Sequence, residues 1–259
     1  MAISESDRLA QRGRPDGSPV LHQRWRNLLF LHWPMDPALV RPLVPDALEL
    51  DTFDGVAWVG ITPFHLEDIR PPLLPALPGL SAFNELNVRS YVTYRGVPGI
   101  WFFSLDASKL LPAMAARIFF MLPYFKSSIR FSDGPGLFEF SCRRSGPPDA
   151  EFRASWTKGP TLRDPDVHSL AFFLTERYSC FAVQGQIVYK IRIYHHPWIL
   201  HQASPEILAS TMIGSLGLPE PVTAPLAHFS TSLDVEIWAP EPVNAARARS
   251  RIGPKRAFR

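Results

Sequence analysis

Hydrophobic positions fall in short blocks along the chain, and most blocks alternate every second residue rather than following a helical period. Asn27-Leu28-Leu29-Phe30-Leu31-His32-Trp33 is apolar on both faces and predicts a buried strand that Pro34 ends. Asp36 before Pro37 is an N-cap with proline at the first helical position, which predicts a short helix over Pro37 to Leu43. Leu48 to Phe53 and Val56 to Phe64 flank Asp54-Gly55, a hairpin-turn signal. Residues 70–80 hold four prolines and predict a loop or lid.

Phe83 to Tyr94 predicts a long strand, and Ile100 to Leu105, apolar on both faces, a central one. Pro112 to Met121 is helix-like, and Pro123 stops it. Lys126 to Ser132, Leu137 to Arg143 and Glu151 to Lys158 alternate like antiparallel strands. Asp164-Pro165 opens a predicted helix through about Tyr178. Cys180 to Val183 and Gln186 to Tyr194 form a hairpin about Gln184-Gly185. Ser204-Pro205-Glu206 reads as the cap of a helix ending near Gly214 or Gly217. Leu233, Val235 and Ile237 alternate with Asp234, Glu236 and Trp238 in a last strand.

Many short strands without a βαβ rhythm predict a mainly β (α+β) fold, a barrel or sandwich with short helices outside. We expect a disordered segment over 1–20, a single domain over 21–242 and a basic flexible tail over 243–259.

The sequence pI of about 9.0 suggests nucleic acid, but the basicity sits in that tail. Five arginines, Lys255 and no acid lie between Arg247 and Arg259; the rest of the chain has 21 bases against 24 acids. No nucleic-acid partner is therefore expected. No apolar run reaches the ~18 residues of a membrane span, and the polar start does not read as a secretory signal. A soluble cytoplasmic protein is the expectation. Cys142 and Cys180 cannot make a disulfide framework or a four-thiolate metal site, and read as buried small residues.

The chain has no GxGxxG after a strand, no P-loop, no GxSxG and no HExxH. His195 and His196 are adjacent on a strand and point to opposite faces, so with His201 they do not make a shared metal site. No metal and no cofactor are expected.

The segment Phe83-Asn84-Glu85-Leu86-Asn87-Val88-Arg89-Ser90-Tyr91-Val92 is the most informative. Leu86, Val88 and Val92 share one face; Glu85, Asn87, Arg89 and Tyr91 share the other. That polar face fits either solvent or a polar interior that holds a ligand. In an interior, Arg89 would clamp a carboxylate and Glu85 would handle protons.

FNELNVRSYV, VPGIWFFSLDA, AARIFFMLPYFKSSI, FLTERY and HHPW resemble an uncharacterised YqjF-like bacterial family of the acetoacetate decarboxylase-like superfamily, over about 22–240. The resemblance implies a closed, mostly antiparallel β-barrel with flanking helices and a polar interior site. Acetoacetate decarboxylase forms a Schiff base between a lysine and a keto acid, assisted by a glutamate. In that pattern the lysine directly follows the proline that corresponds to Pro123. This chain has Tyr124 there, and Glu85 matches the glutamate. Of the five lysines, Lys126 is the candidate amine, because it shares a strand face with Tyr124 about 6.6 Å away.

Glu176 and Arg177 are adjacent and each should pair with an interior residue, Arg89 being a candidate partner for Glu176. The leading expectation is a barrel that binds a keto acid or similar small carboxylate or carbonyl compound through Asn87, Arg89, Tyr91 and Tyr124. The alternatives are a lyase-type Schiff-base enzyme using Lys126 and Glu85, or an interaction protein using the tail and the proline-rich loop. The resemblance also makes a homo-oligomer possible.

Overall fold

The alternating blocks become strands that pair in one sheet. A computed structural model describes residues 4–109 and 117–244. In chain order the strands are β1 (Leu21–Met35), β2 (Glu49–Leu50), β3 (Ala57–Arg70), β4 (Phe83–Tyr94), β5 (Val97–Ala107), β6 (Tyr124–Asp133), β7 (Phe138–Arg144), β8 (Ala150–Thr161), β9 (Ser179–Gln184), β10 (Ile187–Tyr194), β11 (His201–Ser210), β12 (Leu226–Ile237) and β13 (Glu241–Pro242). Helices are short: α1 (Glu5–Ala10), α2 (Pro37–Val40) and α3 (Leu170–Thr175), with one helical turn at 117–120.

The described residues form a 13-stranded sheet in the order β13-β10-β9-β5-β6-β7-β8-β11-β12-β1-β3-β4-β2. Two further pairings, β4–β5 and β10–β12, join strands that lie apart in that order. Pairing is antiparallel except where β5 meets β6 and β9, which run parallel to it. The fold is thus mainly β, as expected, but not purely antiparallel.

β1, β3 and β4 each carry two buried faces. One face packs into a large core, where Leu29, Val59, Val88, Phe152, Trp156 and Phe229 meet. The other face lines a cavity. Strict alternation would turn half of a long strand away from that cavity, and β-bulges prevent it, because one extra residue reverses the alternation. On β1 the cavity residues are Leu21, Gln23 and Trp25, then Leu28 and Phe30; the switch falls at Asn27 (φ 52°), where the register against β3 slips. On β3, Phe64 and Leu66 give way to Ile69 across Asp68 (φ 52°). On β5, Ile100 and Phe102 give way to Leu105, where the register against β4 slips between Val88 and Arg89. Asparagine and aspartate are among the non-glycine residues that enter the left-handed region most readily.

Several expectations need correction. Residues 204–210 belong to β11, not to a helix, because the pairing with β8 outweighs the local cap signal. Pro205 sits opposite Trp156 beyond Gln202, the last residue of β11 paired with β12, so its missing N–H costs no ladder bond on that edge. The helix expected from Asp164 shrinks to α3, capped by Ser169. Asp54-Gly55 does make its turn, with φ of 51° and 78°, but Phe53 and Val56 form only a bridge and β2 pairs with β4. The predicted helix over Pro112 to Met121 is described only from 117, where 117–120 is helical.

The disorder expected over 1–20 is not found over the described residues 4–20. Ser4 and Asp7 build a capping box for α1. Arg8 pairs with Asp51 at 3.1 Å, Arg12 with Glu176 at 3.2 Å and Arg14 with Glu236 at 2.6 Å. At the other end positions 243 and 244 are tied to the sheet: the Val243 N–H donates to Val188 O at 2.8 Å, and Asn244 bonds Gln186 and Val188. Residues 245–259 lie outside the described residues.

The short parallel contact between β5 and β6 is pinned by a buried ion pair. Asp106 on β5 accepts from Arg144 Nε at 2.8 Å and Nη2 at 2.6 Å, and from Ser127 Oγ on β6 at 2.6 Å. The Arg144 guanidinium also lies 4.2 Å from the centre of the Phe125 ring. Asp106→Asn leaves a buried guanidinium without its counter-charge, so urea unfolding should show a loss of about 3–5 kcal/mol. A loss below about 1 kcal/mol, the range of exposed pairs, would contradict this role.

Candidate functional site

The cavity has a volume of about 660 Å³ and is lined mostly by apolar residues of β1, β3, β4, β5, β9 and β10. Its polar lining is concentrated on β4 and on the segments flanking β9 and β10.

Arg89 on β4 is 7% exposed. Its guanidinium carbon lies 5.3 Å from the centre of the Phe30 ring and 6.0 Å from that of Tyr91. Its Nε has no hydrogen-bond partner, and no ion pair among the described residues includes it. Arginine keeps its proton in proteins, so Arg89 is a buried cation without a counter-ion. Asn87, two residues along the same face, has an unpartnered Oδ1.

Glu85 completes the face and accepts from Tyr124 Oη at 3.1 Å. Burial pushes its carboxyl up from 4.5 to about 8; the charge of Asp106 adds to this and the Tyr124 hydrogen bond opposes it. Near pH 7 Glu85 is therefore a neutral acid. Burial, then the neighbouring Glu85, drives the Tyr124 phenol well above its ordinary value.

Arg177 follows α3 and also lines the cavity, but its charge is compensated. Nη1 donates to Asp51 at 2.7 Å and Nε to Phe173 O at 2.8 Å, with the plane held between Tyr91 and Phe173. His195 lies between the rings of Tyr178 and Trp198, 4.5 and 5.0 Å away. Its Nδ1 is 2.8 Å from His196 O, and a carbonyl only accepts, so Nδ1 carries the proton. The Nε2 lone pair has no partner, and burial keeps the ring below its ordinary pKa. His195 is a neutral base on the cavity wall. Cys180 also lines the cavity, but burial pushes its thiol up to about 12, so it stays protonated.

The structure gathers Glu85, Asn87, Arg89 and Tyr124 around one space. It does not bring in Tyr91 or Lys126. Tyr91 lies behind the wall, where its hydroxyl donates to Leu174 O and accepts from His32 Nε2, both at 2.8 Å. Lys126 is exposed on β6, and no lysine among the described residues lines the cavity. Tyr124 holds the inward position directly after Pro123. Glu176 does not meet Arg89; it binds Arg12, the Tyr178 hydroxyl and the Trp198 N–H, and so holds the segment that carries His195. Sequence reasoning missed Arg177 and His195 as cavity residues. The TERY and HHPW segments contain them, but only tertiary packing shows that both line the same space. No cluster that could hold a metal ion occurs among the described residues, and none of their helices is long and apolar enough to cross a membrane.

The Glu85 shift has a stability consequence. Below about 4.5 the folded and unfolded chains both hold the proton; between there and about 8 only the folded chain does. Stability attributable to Glu85 is therefore complete at acid pH and falls by about 1.4 kcal/mol per pH unit across this window. Thermal melts of wild type and Glu85→Gln from pH 5 to 9 should diverge in favour of the variant up to about pH 8 and then run parallel. A constant difference across the range would contradict the shift.

Residues 22–234 match the model of the family DUF2071, described as an uncharacterized conserved protein. The chain is 40% identical over 224 residues to "Uncharacterized protein YqjF" of Bacillus subtilis (strain 168), covering 86% of this chain and 93% of that one. Among solved structures, an acetoacetate decarboxylase-like enzyme from Sphingomonas wittichii RW1 superposes with a TM-score of 0.61 at 15% identity, covering 88% of this chain and 94% of that one. The enduracididine biosynthesis enzyme MppR complexed with pyruvate superposes with a TM-score of 0.61 at 14% identity, over 87% and 91%. At such identities the structural likeness speaks for the fold. The sequence matches carry the membership: this chain belongs to the DUF2071 family.

Proposed function

We propose that the protein binds a monoanionic carboxylate, a keto acid or a related compound, in the cavity, with Arg89 as its anchor. The observation that carries this reading is the uncompensated charge of Arg89. A buried charge without a partner is expensive, and a ligand carboxylate with two acceptor oxygens matches a guanidinium edge. Asn87 lies beside it to orient a second polar group. Glu85 is neutral near pH 7 and does not compete for Arg89. We read the cavity as the interior of a closed barrel, supported by the pairings that lead from β1 through β3, β4, β5, β9 and β10 to β12 and back to β1. A fold neighbour complexed with pyruvate is in keeping with a small keto acid.

A catalytic reading rests on a separate observation: Glu85 as a neutral acid and His195 Nε2 as a free base line the same cavity. This pair suits proton transfer at a bound carbonyl compound. Imine chemistry through Lys126 has no geometric support, because Lys126 is outside the cavity lining and exposed.

Calorimetric titration with pyruvate and acetoacetate, each beside its methyl ester, tests the anchor. The acids should bind and the esters should not. Arg89→Met should weaken the acids by about 10–150-fold, the worth of a charged hydrogen bond, while the unliganded variant melts no lower than wild type. Equal affinity for acid and ester, or an unchanged Arg89→Met affinity, would overturn the reading. Incubation of acetoacetate with cyanoborohydride should leave no adduct on Lys126 in the intact mass.

A further inference from the structure

The cavity is lined mostly by apolar side chains, and its charged ones are withdrawn from the surface. Arg89, Asn87, Glu85 and His195 are all buried. Val20, Leu21 and Ile69 are only partly buried, and Phe119 is 51% exposed. The charged residues thus lie deep, and the approach to them is apolar but for Gln23, whose Oε1 accepts from Trp25 Nε1. Phe102, Leu122, Ile191, Ile193 and Ile237 also line the cavity, and none of them offers a side-chain hydrogen bond.

Size points the same way. Acetoacetate has about seven non-hydrogen atoms, and at the ~30 Å³ of a water-sized group it fills about 200 Å³. The cavity offers about 660 Å³, within the range that takes drug-sized ligands. A short keto acid on Arg89 would leave most of the apolar wall uncovered by ligand.

We infer that the ligand is an amphipathic carboxylate with an apolar body of about six to twelve carbons, its head on Arg89 and its tail toward Phe119. This rests on the anchoring role proposed for Arg89 and adds the identity of the ligand's body. Each methylene laid along the wall contributes hydrophobic free energy, so affinity should rise with chain length until the apolar space is full. The polar end accepts one negative charge, which disfavours dicarboxylates of the same length.

The experiment is a calorimetric series of butanoate, hexanoate, octanoate and decanoate, with acetoacetate, decanedioate and 1-decanol as controls. Affinity should tighten by about fourfold per methylene. Decanoate should bind at least about tenfold better than decanedioate or decanol, a margin within reach of one charged contact. Ile193→Trp, which fills the apolar wall, should abolish the chain-length gain, so that decanoate binds no tighter than butanoate; Ile69→Trp serves the same purpose if that variant does not fold. If acetoacetate binds and lengthening the chain brings no gain, the inference is overturned and the anchor stands. If decanol binds as tightly as decanoate, the anchor itself is overturned. If no member of the series binds, both fall.

Discussion

Arg89 keeps its charge where a charge is costly, on a strand buried on both faces and beneath the Phe30 ring. Everything nearby that could cancel it is otherwise engaged or neutral. Glu85 is protonated near pH 7 because burial opposes its ionisation. Asp51 is held between Arg8 and Arg177, and Glu176 is taken by Arg12, Tyr178 and Trp198. His195 is neutral. The deep end therefore carries the uncompensated charge of Arg89 and several unpartnered polar atoms. In a packed interior such groups are normally satisfied; in the proposed reading a ligand carboxylate gives the Arg89 guanidinium the acceptors it lacks, while Asn87 Oδ1 and the His195 Nε2 lone pair would need a donor.

The sheet makes this arrangement possible by enclosing two kinds of interior with the same strands. The even residues of β4 after Asn84 join a close-packed core, and Glu85, Asn87 and Arg89 face the cavity. Bulges at Asn27 and Asp68 and the slip within β5 keep long strands turned toward that space after strict alternation would have turned them away. The Asp106–Arg144 pair fastens the β5–β6 contact beside it, and the negative charge of Asp106 adds to the burial that keeps Glu85 protonated. The N-terminal arginines close the outside: Arg8 and Arg12 hold the two carboxylates that in turn position Arg177 and the His195 segment.

The alternation of β4 was legible in the sequence, and so were the two faces it defines. Whether the polar face met solvent or an interior was not, because that depends on pairings with strands far along the chain. The bulges left only faint signals, an asparagine and an aspartate inside apolar blocks. Lys126 illustrates the limit of face arguments: it shares parity with Tyr124, yet two residues further along β6 the strand has left the cavity. Ser204-Pro205-Glu206 looked like a helix cap and became a strand, since cross-strand pairing with β8 outweighed a local preference. The N-terminal segment looked disordered because its anchors are arginines, whose partners lie up to 222 residues away.

The decisive measurement is a crystal structure of the protein grown with decanoate. It should show the carboxylate against the guanidinium of Arg89, with the alkyl chain running past Phe102 toward Phe119. A carboxylate at the mouth with the tail buried, or density only outside the cavity, would contradict that placement.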